Sequence, residues 1–120
     1  MGNKQDSLQE GLSLYNEGRY EEALKQFENM VQNDTSFIEA KKYAGIISLR
    51  MEQYEKAINY FLQLENYTQL YANPGKFYHA LTLLKRNKQG DTETARLLLQ
   101  QVVENDLEGK EEAENLLGEW

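Results

Sequence analysis

The chain has no cysteine and only one proline, one tryptophan and one histidine in 120 residues. Without cysteine there is neither a disulfide framework nor a thiolate metal site, and cysteine usage leaves the compartment open. A single proline among abundant Leu, Glu, Ala, Lys and Gln favours helices over strands and loops. His79 has no second His or obvious Asp beside it in a ligand pattern. It reads as a packed or surface side chain rather than a metal ligand or catalytic base. Excess positive charge is also missing: the formal net charge is −7, which opposes nucleic-acid binding, because Lys and Arg supply that affinity by displacing counterions. No apolar run approaches the ~20 residues that cross a bilayer. The opening "MGNKQDSLQEG" lacks the apolar centre of a signal peptide. Met1-Gly2 would suit myristoylation with Ser or Thr at the sixth place, but Asp6 stands there and Ser7 comes one place late, so an initiator or cloning junction is the better reading. These absences predict a soluble chain without direct membrane insertion, cytoplasmic by default and periplasmic if it is excised from an anchored protein. No G-x-S-x-G, phosphate loop or paired-carboxylate pattern occurs, so the expectation is a non-enzymatic protein with no cofactor and no metal.

What is present is a period. Hydrophobic residues at 40% and charged residues at 28% suit one globular domain. Within it, residues 11 to 31 set above 45 to 65 match Gly11 with Gly45, Tyr20 with Tyr54, Glu21 with Glu55, Ala23 with Ala57 and Phe27 with Phe61. The apolar stripes Ala23, Leu24, Phe27, Met30 and Ala57, Ile58, Phe61, Leu64 repeat with the 3.6-residue period of a helix that buries one face. Ser36-x-x-Glu39 reads as a capping box, and Glu21/Lys25 and Glu52/Lys56 as i,i+4 pairs. Asn73-Pro74 reads as an N-cap followed by proline at the first helical position, before the apolar side Phe77, Ala80, Leu81, Leu83 and Leu84. After the break at "NKQGD", Ala95, Leu99, Val102 and Val103 restore the earlier stripe, with Ala80 taken as the counterpart of Gly45 and three residues added in the turn. The organisation is one domain over 1–120: a first unit over about 4–37, a second over about 38–71, a third over about 72–107 and a final amphipathic helix over about 109–119.

These residues resemble tetratricopeptide repeats, in the stretches Gly11…Gly18-Arg19-Tyr20…Ala23-x3-Phe27 and Gly45…Tyr54…Ala57-x3-Phe61, with Ala80, Gly90-Asp91, Ala95 and Leu99 in the corresponding places of the third unit. The opening Trp of that pattern is absent, and its closing Pro is Thr35 in the first unit and Gln69 in the second. The resemblance implies an all-α, right-handed superhelix of helix-turn-helix units, an α-solenoid of about seven helices. It further implies a scaffold that binds protein in a concave groove, here a segment of a larger, bacterial-type protein of that kind. Gly11 and Gly45 are expected to admit the second helix of their own unit at Ala23 and Ala57, while Phe27 and Phe61 fill the space towards the next unit.

The groove-facing places of the first helices then fall on Leu8, Leu12, Tyr15 and Asn16, on Lys42, Ile46, Leu49 and Arg50, and on Phe77, Leu81, Leu84 and Lys85. Of these, Tyr15, Asn16, Lys42, Ile46, Leu49, Arg50, Phe77, Leu81 and Lys85 are the candidate binding set, an apolar floor with three cations suited to an extended or helical peptide. The competing reading buries Leu12, Ile46, Leu49 and Leu81 under neighbouring units or under the last helix of a tight superhelix. Members of the family that grip a chain-terminal carboxylate use Lys and Asn where this chain has Leu8 and Leu12, so that activity is not expected. Lys85, Arg86 and Lys88 form a basic cluster open to phosphate or acid, or complementing a helix end. Tyr67, Tyr71 and Tyr78, from a total of eight tyrosines, read as sealing the junction before the third unit, with an aromatic binding patch as the less favoured alternative. A second function class, self-association as a homodimer, would use Leu116, Leu117 and Trp120 of the acidic C-terminal helix.

Overall fold

The 3.6-residue stripes become seven helices in a computed structural model, which describes residues 4–120. The Met1-Gly2 start lies outside the described residues. In chain order the helices are α1 Lys4–Asn16, α2 Tyr20–Asn33, α3 Ile38–Arg50, α4 Tyr54–Glu65, α5 Gly75–Arg86, α6 Asp91–Glu104 and α7 Lys110–Leu117, with no strand among the described residues. Each helix packs on its neighbours in sequence, and α3 also touches α5. The extents are 49 × 29 × 21 Å, the elongation expected when hairpins stack on one another in a row.

The period is carried by geometry. Tyr54 opens α4 as Tyr20 opens α2, 34 residues earlier. The chain leaves α1 and α3 in the same way: Arg19 N–H reaches Leu14 O and Gly18 N–H reaches Tyr15 O, while Gln53 N–H reaches Ser48 O and Glu52 N–H reaches Leu49 O. This is a Schellman ending, in which one residue turns left-handed. Gly18 does so at φ +79°, and Glu52 takes the same role at φ +62°.

The side chain lying over each repeated glycine is the ring of the same unit. A β-carbon at Gly11 would stand 2.6 Å from Phe27 Cζ, and one at Gly45 would stand 2.6 Å from Phe61 Cε1. The glycines therefore make room for Phe27 and Phe61 rather than for Ala23 and Ala57, which correct the expectation from spacing. Both rings also reach forward, as expected, stacking on Tyr43 and Tyr78 with centroids 5.4 and 5.5 Å apart. Phe27, Phe61, Ala23 and Ala57 are fully buried.

In the third unit the helix starts are shifted. Gly75 follows Ile38, and Asp91 follows Tyr54, by 37 residues. The buried positions nonetheless keep the earlier alignment: Ala40, Gly45, Ile47 and Ser48 of α3 are answered 35 residues on by Gly75, Ala80, Thr82 and Leu83, and Ala57, Phe61 and Leu64 of α4 are answered 38 residues on by Ala95, Leu99 and Val102. Ala80 thus stands at the Gly45 place, and three residues are added between the two buried faces, one of them in the turn Asn87–Gly90. Thr82 is buried and donates its hydroxyl to Tyr78 O at 2.8 Å. At the Gly45 place the glycine has become Ala80, and at the Phe61 place the ring has become the smaller Leu99. Ala80, Ala95 and Leu99 are fully buried.

Capping differs from the sequence reading at α3 and agrees at α5. Phe37, not Ser36, precedes α3, and the Ser36 hydroxyl turns back to Asp34 Oδ1 at 2.6 Å. Asn73 Oδ1 accepts the Gly75 N–H at 2.8 Å, so the Asn-Pro start caps the helix. Glu52 stands outside α4, and Lys56 pairs instead with Glu28 of α2 at 3.0 Å. Glu21 and Lys25 form no ion pair among the described residues.

The last hairpin is braced by charge. Arg86 Nε and one terminal nitrogen both donate to Asp91 at 2.9 Å, and Lys88 N–H donates to the same carboxylate. The hydrogen bond from Arg86, helped by that from Lys88, holds the Asp91 carboxyl down at about 2.

Two expected outcomes follow from the packing and the brace. Gly45→Ala should destabilise by ~1–3 kcal/mol through overpacking, although alanine is the better helix former. Phe61→Leu in the same chain should recover part of that loss, whereas strictly additive losses in urea unfolding would show that the new methyl does not meet the ring. For Asp91 the folded value lies below the unfolded one, so its contribution is complete above about pH 4 and lost as pH falls towards about 2. Asp91→Asn should therefore flatten the fall of Tm across that window, in which Asp34, held at about 2 by Lys4 and Ser36, also titrates. An unchanged slope would remove the brace from the acid response.

Candidate functional site

The first helix of each hairpin contributes one wall of a concavity of about 500 Å³. Tyr15 comes from the end of α1, Ile46, Leu49 and Arg50 from the last turn and a half of α3, and Leu81 and Lys85 from α5. Spacing explains the convergence. Ile46, Leu49 and Arg50 fall at i, i+3 and i+4, and Leu81 and Lys85 at i and i+4, so each set shares a helix face. Their buried neighbours Ile47 and Leu83 belong to the core instead. Ile46, Leu49 and Leu81 are half-buried, resting on the core while one side faces the hollow.

Six of the nine candidate residues meet there, and three do not. Asn16 is exposed beyond the lining. Phe77 is core at 8% exposure, its ring lying under Gly109, where an added β-carbon would come within 2.3 Å of it. Gly109 itself is left-handed at φ +92°, so a close approach and a positive φ together require glycine at this junction. Lys42 is committed elsewhere: its ammonium lies 3.1 Å from Glu108 and 5.9 Å from the centroid of the Tyr78 ring. Of the other first-helix places, Leu8 is buried, Leu12 is half-buried against the first core cluster, and Leu84 lines a separate hollow.

Three lining residues escaped the sequence reading. Glu52 belongs to the turn after α3, Tyr54 opens α4, and Tyr78 sits three residues before Leu81 on α5. The i,i+3 spacing of Tyr78 and Leu81 was the available signal. Burial pushes the Tyr78 hydroxyl up from its ordinary range, so it stays neutral at the wall. Tyr15 does more than line the hollow. Its hydroxyl accepts Arg50 Nε–H at 3.0 Å, and its ring lies 5.8 Å from the guanidinium carbon, tying α1 to α3.

Elsewhere the structure separates what the sequence grouped. In the cluster Lys85, Arg86 and Lys88, Arg86 braces Asp91, Lys88 reaches Glu55 at 3.4 Å, and Lys85 turns to the concavity. Tyr67 and Tyr78 seal the junction, the first through Lys41 and the second through Phe61, but Tyr71 is 91% exposed and seals nothing. His79 Nδ1 meets Glu65 Oε2 at 2.8 Å, with the two side chains only 12% and 15% exposed, as a packed contact between α5 and α4. Lys41 is the missed residue of that region, buried with its ammonium on the Tyr67 hydroxyl at 3.2 Å. A hollow of about 450 Å³ beside it is lined by Ile38 and the α4–α5 connection without a charged side chain.

Among the described residues, no group of three or more His, Cys, Asp or Glu could hold a metal ion, and no helix is long and apolar enough to cross a membrane. No protein-family model matches the chain, and no curated protein or solved structure matches it.

Proposed function

We propose that the chain is a non-catalytic interaction module, a right-handed stack of tetratricopeptide-type hairpins that receives a peptide or protein segment in the hollow formed by its first helices. The observation that carries this reading is the convergence of Tyr15, Ile46, Leu49, Arg50, Leu81 and Lys85 on one concavity of about 500 Å³. Apolar side chains on the floor supply burial, and the cations on the walls supply orientation. The repeat assignment draws support from the 34-residue spacing of α2 and α4 and from their shared turn geometry. Binding requires no movement of the core, since the lining sits on helices whose opposite faces are packed.

The test compares proteins retained from a source lysate by the wild type and by an Ile46→Glu, Leu81→Glu variant that keeps its circular dichroism. A partner held by the wild type alone is the expected result. Equal retention would move binding off the hollow, and an unfolded variant calls for Arg50→Glu, which alters an exposed side chain.

A second reading rests on its own observation. Leu84, Leu116, Glu119 and Trp120 line a hollow of about 210 Å³, with Trp120 49% exposed. Two copies meeting there would form a homodimer through α7. Under this reading, sedimentation equilibrium should give a mass that doubles with concentration and no longer does so in Trp120→Ala. A monomer across the range would reject it.

A further inference from the structure

The hollow differs from the rest of the protein in the state of its cations. The chain has 13 Lys and Arg against 20 Asp and Glu. Among the described residues, eight of those cations lie against a carboxylate: Lys4 and Arg19 near the start, Lys42 and Lys56 in the middle, and Arg86, Lys88, Arg96 and Lys110 later. Lys41, Lys76, Lys25, Arg50 and Lys85 do not. Lys41 is buried on Tyr67, Lys76 donates to Gln101, and Lys25 stands on the exposed side of α2. Arg50 and Lys85 share one hollow. Tyr15 takes the Arg50 Nε–H, while the two terminal nitrogens of that guanidinium and the Lys85 ammonium have no partner among the described residues.

Two uncompensated cations above an apolar floor, in a chain with an excess of acid, are a local reversal of charge. We infer that the hollow takes an internal Asp or Glu side chain of its partner, with a bulky apolar side chain beside it on Ile46, Leu49 and Leu81. The inference rests on the groove reading above and narrows it to a partner chemistry. A carboxylate accepts from the terminal nitrogens of Arg50 and from Lys85 Nζ, and such charge-assisted bonds are the stronger kind. Covering the apolar floor removes water from the same place, which strengthens the attraction. Glu52, the single acid in the lining, repels a second negative charge and so favours one carboxylate over a phosphate dianion or an acidic run. A chain-terminal carboxylate gains nothing from the first unit, because Leu8 and Leu12 offer no donor there.

The probe is an array of N-acetylated, C-terminally amidated nonapeptides in which a central Leu or Phe is flanked by Asp, Asn, Lys or phosphoserine. Amidation removes the chain-terminal carboxylate from the readout. Asp peptides should bind the wild type more tightly than their Asn isosteres by on the order of tenfold. That preference should vanish in Arg50→Gln, Lys85→Gln and persist in Lys25→Gln, Lys56→Gln, which has the same net charge. Equal binding of Asp and Asn peptides, still abolished by Ile46→Glu or by the alternative Leu49→Glu, would overturn the carboxylate and leave the groove reading intact. Phosphoserine peptides binding tightest would likewise overturn it. Binding that survives the floor variants, or no binding by any member, would count against the groove reading itself.

Discussion

An aromatic ring seated on a glycine is the contact from which the rest of this structure follows. Phe27 lies over Gly11 and Phe61 over Gly45, closer than any β-carbon would allow. In each hairpin the two helices are drawn together at that point, and the far side of each ring stacks on a tyrosine of the next unit. One residue thereby fixes both the spacing within a hairpin and the register between hairpins. Interiors packed at crystal density respond to single methylenes, so the small side of this contact is as constrained as the large one. In the third unit Ala80 and the smaller Leu99 stand at these two places, both fully buried.

The register sets the surface. Tyr78, which receives the Phe61 ring, is also a wall of the hollow, and Tyr15 holds Arg50 across the first two hairpins. The apolar floor and its two cations are therefore consequences of how the rings seat the helices. Electrostatics then acts by subtraction. In an acidic chain most cations find carboxylates, whether between helices as in Lys56 with Glu28 or across a turn as in Arg86 with Asp91. Surface pairs of this kind add little stability individually. Their consequence here is to leave Arg50 and Lys85 as the pair facing a shared concavity.

Much of the fold was legible because it is periodic. The stripes of α2, α4 and α6 and the equivalence of Tyr20 with Tyr54 follow from a 3.6-residue repeat that one sequence displays directly. Residues reached through the face of one helix, such as Ile46, Arg50 and Lys85, were legible for the same reason. The errors lie where a pairing joins distant parts of the chain. Nothing near Lys42 announces Glu108, sixty-six residues away, and nothing near Phe77 announces Gly109. The Ser36 box failed because Asp34 offers the hydroxyl a nearer acceptor. Glu52 was hidden by residue type, as a left-handed turn position does not display itself through glutamate.

The most direct test of the seating is the proton NMR spectrum of the two repeated glycines. A ring stacked on Gly11 and Gly45 must shield their α-protons, so both pairs should resonate well upfield of ordinary helical glycine and return to normal in Phe27→Leu and Phe61→Leu respectively. Ordinary shifts in the wild type would mean that the rings sit elsewhere. The register that brings Arg50 and Lys85 to one hollow would then fall with them.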